Sequence, residues 1–555
     1  MNKTNDKNTR RRTNLRQERP TIHSANLLFL ISMVLLLVVG TPAQKWSPHW
    51  GSIIIAAFFP LLALLFLRYH KLPPRVTLRL RWPGRRLAAL SLLIGVGVWL
   101  MATWLGNLVD MLFGYSVPWS PDFFPTTPAE AVPLFLAWCI AAPLGEEVLF
   151  RGLIQRAHER RGPRIGILGV ALLFALYHMS FQSLLALLPI ALALGYVVWR
   201  SDSLLSGILV HFANNVLASG RIVTASLRPD LELGIPSLPA AMVGAILTLV
   251  GLWLFRRDTA PPPPPAFPEP TSWLRRTWPL VIAVLIFVVL AGLQFVAGRF
   301  PEALALDRLE LQEAPWEGPT QWRYELRTDA FYPPDAFHPH ILDEPVGHAE
   351  CRLTPEPEDG AFALDCQVQQ AAFEARKGRR YFNMDEMDLH QMIRWQRDGL
   401  HLVEGEAIQQ SGERRLALTL TPDEEGLVLS VSQDDGPPEE LTLPDDVLLA
   451  AEWPWRLSAL PFRLSYSRKA TLVWPSRWRE ETQSSGLVAE DTYVVVRGAE
   501  PVWTPAGSFV AWRVTVGDHQ TAWYDAEAPH TLVRYHDGIV TYLLTEVEQE
   551  SSTSE

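Results

Sequence analysis

From Asn26 onward the chain alternates long apolar runs with short basic or proline-containing breaks, and the pattern changes character near residue 300. Nine runs approach the length of helix needed to cross a bilayer core, about 17–25 residues. They are Asn26–Ala43, Trp50–Leu67, Leu87–Leu108, Ala131–Phe150, Ile165–His178, Phe181–Trp199, Leu204–Leu217, Leu238–Phe255 and Trp278–Ala297. The fifth and seventh are short and are expected to extend into their flanks or to be sheltered by neighbouring helices. After residue 299 the pattern becomes alternating, β-branched and aromatic, as in "DTYVVVRGAE", "SFVAWRVTV", "HTLVRYHDG" and "IVTYLLTEV", with Pro-Ala-Gly, Asp-Gly and Gly-Asp turns between them. The expected fold is a polytopic α-helical membrane domain of about eight core helices plus one tether helix, followed by a mainly antiparallel β soluble domain. One stretch in the β half, "LPDDVLLAAEWPWRLSAL" (443–460), reads as helical.

The breaks set the expected boundaries. Residues 1–25 form a basic cytoplasmic N-terminus, 26–256 the helical domain, 257–277 a linker, 278–298 the ninth helix, 299–545 the β domain and 546–555 a disordered tail. "APPPPPAFPEP" (260–270) favours an extended polyproline spacer, which leaves the ninth helix as a tether standing apart from the body.

Charge adds orientation. Residues 1–300 hold 28 Lys+Arg against 13 Asp+Glu, and residues 301–555 hold 21 against 46. Lys and Arg are retained on the cytoplasmic side of membrane helices. With the N-terminus inside, 24 basic residues fall on inner segments and only Lys45, Arg221 and Arg228 on outer loops. The chain is therefore expected to be a multi-pass protein of the inner cell membrane, with its β domain outside the cytoplasm. The basic N-terminus reads as a topological anchor, with no nucleic-acid partner and no cleaved signal peptide. Of the three cysteines, Cys351 and Cys366 flank a Pro/Asp/Gly turn, and an external compartment permits their disulfide.

Against this background "PLGEEVLFRG" (143–152) is anomalous, because it puts Glu146, Glu147 and Arg151 inside a membrane helix. A charge near the bilayer centre costs from about 2.5 to about 17 kcal/mol, so such residues default to a functional reading. Glu147 and Arg151, spaced i, i+4, can neutralise each other and hold the fourth helix, which leaves Glu146 unexplained. The fifth run contributes Phe174 and His178, and the seventh His211 and Asn215, each pair again at i, i+4. At about 1.5 Å per residue, Glu146, His178 and His211 lie roughly 15, 21 and 17 Å from the cytoplasmic side. A lone membrane His or Asn is commonly an interhelical hydrogen-bonding group. Several at one depth, beside a spare carboxylate, point to a site.

"EEVLFR", "FALYH" and "HFANN" fit Glu-Glu-x-x-x-Arg, Phe-x-x-x-His and His-x-x-x-Asn, in that order. The chain thus resembles the CAAX-protease and bacteriocin-processing family of intramembrane proteases, also called CPBP or Abi, over residues 130–220. The resemblance implies an endopeptidase acting on a peptide or membrane-associated protein. Glu146 would deprotonate water with help from His178, and His211 with the Asn215 amide would stabilise the oxyanion. Glu147 and Arg151 would support the helix, with Asn214 pointing elsewhere. No cofactor is expected, although a zinc version with Glu146, His178 and His211 as ligands stays open. No His-Glu-x-x-His or Gly-x-Ser-x-Gly supports the commoner hydrolase classes. A transporter or signalling protein that uses buried Glu and His for protons or ions is the alternative, as is a membrane platform for an external binding domain. The segments around "VWTPAGSFVAWRV" and "TAWYDAEAPHTLVRY" resemble bacterial envelope domains with a curved, half-barrel sheet. They suggest an envelope partner and a bacterial setting, in which a prenylated CAAX substrate is not expected.

Overall fold

The structure is a computed structural model that describes residues 19–549, apart from 232–233, 235, 263–271, 331–340, 357, 359, 378–379, 425, 435, 445–446, 451, 476–486 and 518–519. The first eighteen residues, most of the polyproline run and residues 550–555 lie outside the described residues. Two units emerge. The first is helical and the second is built on β-strands.

Each predicted apolar run is found as helix. We label them α1 (Ile22–Trp46), α2 (Pro48–Tyr69), α3 (Arg85–Phe113), α4 (Pro128–Arg161), α5 (Pro163–Tyr177), α6 (Leu188–Ser201), α7 (Leu204–Leu227), α8 (Leu238–Arg257) and α9 (Trp273–Arg299). Among the described residues six of these, α1–α4, α8 and α9, are long and apolar enough to cross a membrane. Helix α7 extends ten residues past its predicted end. Its length is ample, but His211, Asn214, Asn215 and Arg221 dilute its hydropathy. The sixth run breaks at Leu187 into a short helix, Phe181–Ala186, and α6, because Pro189 lies in the first turn of the second piece and has no N–H to continue the first.

Helix α9 does not stand apart as expected. Its Ala283, Phe287 and Ala291 share a buried cluster with Phe29 and Met33 of α1. Asn26 Nδ2 donates to the Arg276 carbonyl at 2.7 Å, and Phe287 meets Phe181 edge-on at 5.4 Å. The small alanines let the helices approach closely, which is the usual source of helix association in lipid. Near the basic loops, buried Arg79 pairs with Glu159 of α4 and, at 2.9 Å, with Asp202 in the α6–α7 turn. Arg156 reaches the same Asp202 at 3.5 Å. Sequence spacing offered no sign of this ion-pair cluster.

The second unit is dominated by one fifteen-stranded sheet. Its first strand, Thr320–Ala330, pairs antiparallel with both Ile341–Glu356 and the last strand, Val540–Gln549. From there the sheet runs outward on both sides through antiparallel neighbours, one side ending in Glu439–Leu443 and the other in Val447–Leu449, which pairs parallel with Ser467–Pro475. These two end strands are neighbours in sequence. Leu443 of one and Val447 and Leu449 of the other enter a common cluster with Leu420 and Leu429, so the sheet curls towards closure. Cys351 and Cys366 face each other in register on adjacent strands and are disulfide-bonded, as the turn between them suggested.

Two expectations for this unit are corrected. Among its described residues the stretch 443–460 is α-helical only over Trp453–Arg456, followed by a 3-10 turn at Leu457–Ala459, while Val447–Leu449 is a strand. Its described apolar residues are buried, Trp453 and Leu457 completely, so the helical period expected there is a fully buried run instead. The last strand also continues to Gln549, into the stretch expected to be a free tail.

Candidate functional site

The site begins with an irregularity in α4. This helix widens into π turns at Leu136–Ala141 and Val148–Ile154, and the six residues between them, Ala142–Glu147, carry both glutamates. π turns recur at functional sites because they re-aim side chains and free backbone groups. At the first one the Ala142 N–H bonds the Ala137 carbonyl. The next donor in that register would be residue 143, a proline, which has no N–H. The Trp138 carbonyl, left without that donor, accepts the Asn215 Nδ2–H of α7 at 2.7 Å.

One turn further, Glu147 is fully buried. Its Oε1 accepts from Arg151 Nη1 at 3.2 Å, the i, i+4 pair that the sequence indicated. The same oxygen is 3.1 Å from His211 Nδ1. Glu147 is therefore more than a partner for Arg151, since it holds the histidine of another helix directly. Its Oε2 is buried without a hydrogen-bond partner. Gly207, one turn before His211, provides the space, because a Cβ there would lie 2.8 Å from that oxygen.

Glu146 faces the other edge of the same ring, with Oε2 4.0 Å from His211 Nε2. Unlike Glu147 it keeps 18% of its side chain accessible. The two adjacent glutamates thus straddle one imidazole. Gly145 lets α2 approach beside them, as the Ala56 carbonyl oxygen lies only 2.4 Å from where a Cβ would sit.

Phe174 of α5 links the remaining groups. The Arg151 guanidinium lies 4.3 Å from the centre of its ring, and Arg151 also donates to the Ala191 carbonyl at 3.3 Å. The Phe174 ring is 5.1 Å from that of His178 and 6.0 Å from that of His211. His178 caps the C-terminus of α5, exposed, with Nδ1 2.9 Å from the Phe174 carbonyl. That bond takes the Nδ1 proton and leaves Nε2 as the acceptor of the neutral ring.

All six residues read from the sequence lie in this unit, and the structure links Glu146, Glu147, Arg151 and His211 directly. His178 joins through Phe174, and Asn215 through the α4 backbone. Asn214 does not point elsewhere, because its Nδ2 donates to Asn215 Oδ1 at 2.9 Å and orients that amide. Sequence reasoning paired Phe174 with His178 but did not link it to Arg151 and His211, and it gave no role to Gly207 or Pro143. The i, i+4 spacing of Phe174 and His178, and of Gly207 and His211, was the available signal. Among the described residues no group of three or more His, Cys, Asp or Glu side chains is placed to hold a metal ion.

Comparison with known families finds a match over residues 128–217 to the Rce1-like family, described as type II CAAX prenyl endopeptidase Rce1-like. This interval contains the whole constellation, and the β unit lies outside it. No curated protein matches the chain. Among solved structures, the crystal structure of a beta-barrel-like protein, a domain of unknown function from Brucella abortus, is similar at 9% identity with a TM-score of 0.27. It covers 42% of this chain and 99% of its own.

Proposed function

We propose that this chain, an Rce1-like member of the CAAX-protease family over residues 128–217, hydrolyses a peptide bond within the membrane by a glutamate-activated water. The family supports a peptide hydrolase of the CAAX intramembrane type. The residue roles rest on one observation, the straddling of His211 by Glu146 and Glu147.

In this reading Glu146 is the general base, because its side chain alone of the pair is accessible, and His178 holds the water through Nε2. The water's proton passes to Glu146 as its oxygen bonds to the scissile carbonyl carbon. The oxyanion's donors are His211 Nε2, when the ring carries both protons, and the Asn215 amide hydrogen not used by Trp138. Glu146 then returns its proton to the leaving amine as the carbon–nitrogen bond breaks. Glu147 and Arg151 hold His211 in place. The substrate is a peptide or membrane-associated polypeptide.

The protein would cross the inner membrane several times with its N-terminus in the cytoplasm and its β unit outside, as supported by the basic inner loops and the Cys351–Cys366 bond. Cleavage of a quenched fluorogenic peptide by purified protein tests the chemistry, and Glu146→Gln should lower kcat by about 10²–10⁴-fold. Undiminished turnover in that variant rules out the mechanism. For topology, a reporter active only outside the cytoplasm should work when fused after Gly298 and stay silent after Arg86. The opposite pattern would place the β unit inside.

A further inference from the structure

His178, which holds the water in the peptidase reading, sits where α5 runs out. Its ring is exposed, and its side-chain hydrogen bond, from Nδ1 to the Phe174 carbonyl, stays within the helix it terminates. Helix ends fray, so the position of this imidazole depends on what anchors the chain just beyond it.

That chain turns sharply. The His178 and Met179 N–H groups donate to the Ala175 and Leu176 carbonyls at 3.2 and 3.1 Å, and Met179 has φ +56. A residue with a β-carbon keeps this left-handed conformation only where its surroundings impose it. Ser180 then caps the helix Phe181–Ala186, its Oγ accepting the Ser183 N–H at 3.0 Å. A helix of six residues is marginal on its own, so its place in the fold is set by its side chains. Gln182 is buried and pairs with Tyr115 twice. The Tyr115 hydroxyl donates to Gln182 Oε1 at 3.1 Å, and Gln182 Nε2 donates back to the Tyr115 carbonyl at 3.5 Å. Phe181 beside it meets Phe287 and Phe295 of α9 edge-on, at 5.4 and 6.3 Å. Phe295 also meets Tyr115 edge-on at 5.8 Å, and Gly298 makes room for the tyrosine, since a Cβ there would fall 2.2 Å from its ring.

We infer that Tyr115 and Gln182, backed by Phe295 of α9, are positioning residues that latch the turn after α5 and so fix His178 against the water it holds. The inference rests on the peptidase reading for the role of His178, though not for the geometry of the latch. Neither residue touches a reacting atom. They act through the backbone of residues 178–180, and a misplacement of about 1 Å at a catalytic group can cost about 10²-fold in rate. Tyr115 and α9 both lie outside residues 128–217, so this support comes from parts of the helical unit beyond the family match.

The test uses the full chain in lipid nanodiscs. Tyr115→Phe deletes one hydroxyl and keeps the ring that packs on Phe295, and Tyr69→Phe, at an exposed tyrosine ending α2, is the control. With a fluorogenic peptide that the parent cleaves, Tyr115→Phe and Gln182→Leu should each lower kcat by about tenfold with KM within about twofold, and the control should match the parent. On the residual activity of His178→Ala, Tyr115→Phe should lower kcat no further, because its effect runs through that imidazole, whereas a general loosening of the helices would lower it again. Hydrogen exchange reads the latch without turnover. Tyr115→Phe should speed exchange of the Met179 and Leu184 amides by about two- to tenfold and leave the amides of α7 around His211 unchanged. Unchanged exchange at Met179 and Leu184, a kcat equal to the parent's, or a loss that persists undiminished in the His178→Ala background overturns the inference. If the parent cleaves no peptide, the peptidase reading fails and the exchange data alone decide the latch.

Discussion

Glu147 and His211 meet at 3.1 Å across the contact between α4 and α7, and the same glutamate oxygen also accepts from Arg151. One buried carboxylate therefore serves two cationic or proton-bearing groups, while its neighbour Glu146 stands at the opposite edge of the imidazole. The division of labour between the two glutamates follows from this placement.

Replacing Glu147 should damage stability as well as rate. Glu147→Gln leaves the Arg151 guanidinium, fully buried, without its counter-charge, and removing one partner of a buried pair typically costs about 3–5 kcal/mol. Glu146→Gln removes a partly accessible group with no such partner and should unfold close to the parent midpoint. Thermal unfolding of both variants in the same detergent separates them. Equal midpoints would contradict the assignment of Glu147 as the buried anchor.

Pro143 is expected to act through Asn215. Pro143→Ala supplies an N–H that can compete for the Trp138 carbonyl, so the Asn215 amide loses its anchor and kcat should fall with KM nearly constant. In an Asn215→Ala background the same change should have little further effect, because residues acting as one unit are non-additive. Two losses that simply add would show that Pro143 works by another route.

Metal dependence offers a third check. Because Glu146, His178 and His211 do not converge as a ligand set among the described residues, a strong chelator should leave peptide cleavage intact and purified protein should lack stoichiometric zinc. Near-stoichiometric zinc that is lost in His178→Ala and His211→Ala would reverse the expectation.

Within the β unit, Glu452 and Arg456 form an enclosed pair at 3.3 Å, and Arg456 also donates to the Val447 carbonyl at 2.7 Å. Burial pushes the Glu452 carboxyl above its ordinary range, and the attraction of Arg456 offsets this only in part. The native state therefore holds this proton more tightly than the unfolded chain does. The resulting stability is fully present below the ordinary glutamate range and is lost as pH rises through the elevated native value. Glu452→Gln should flatten the pH dependence of β-unit unfolding, followed by tryptophan fluorescence, from the ordinary glutamate range upward. An unchanged slope would mean that another group titrates there.

Much of this protein was legible in the amino-acid order because the relevant physics is local. Hydrocarbon tolerates only helices whose backbone groups bond within the segment, so apolar runs such as Trp50–Leu67 and Leu238–Phe255 translate directly into α2 and α8. Side chains four apart share a helix face, so Glu147 with Arg151, and His211 with Asn215, could be grouped without coordinates. The cross-strand pairing of Cys351 and Cys366 followed from the turn between them. Other features depended on contacts between distant segments. Whether Glu147 faces only Arg151 or also His211 is set by the rotation of α7 against α4, which Gly207 permits and no periodicity encodes. The π turn that releases the Trp138 carbonyl arises where Pro143 and a partner helix act together. Helix α9 looked like a free tether because hydropathy reports how apolar a helix is and says nothing about what covers it, and only the packing of Ala283 and Ala291 against α1 decided that. The strand at Val447–Leu449 was hidden for a related reason, since a run buried on all sides loses the alternation that distinguishes strand from helix.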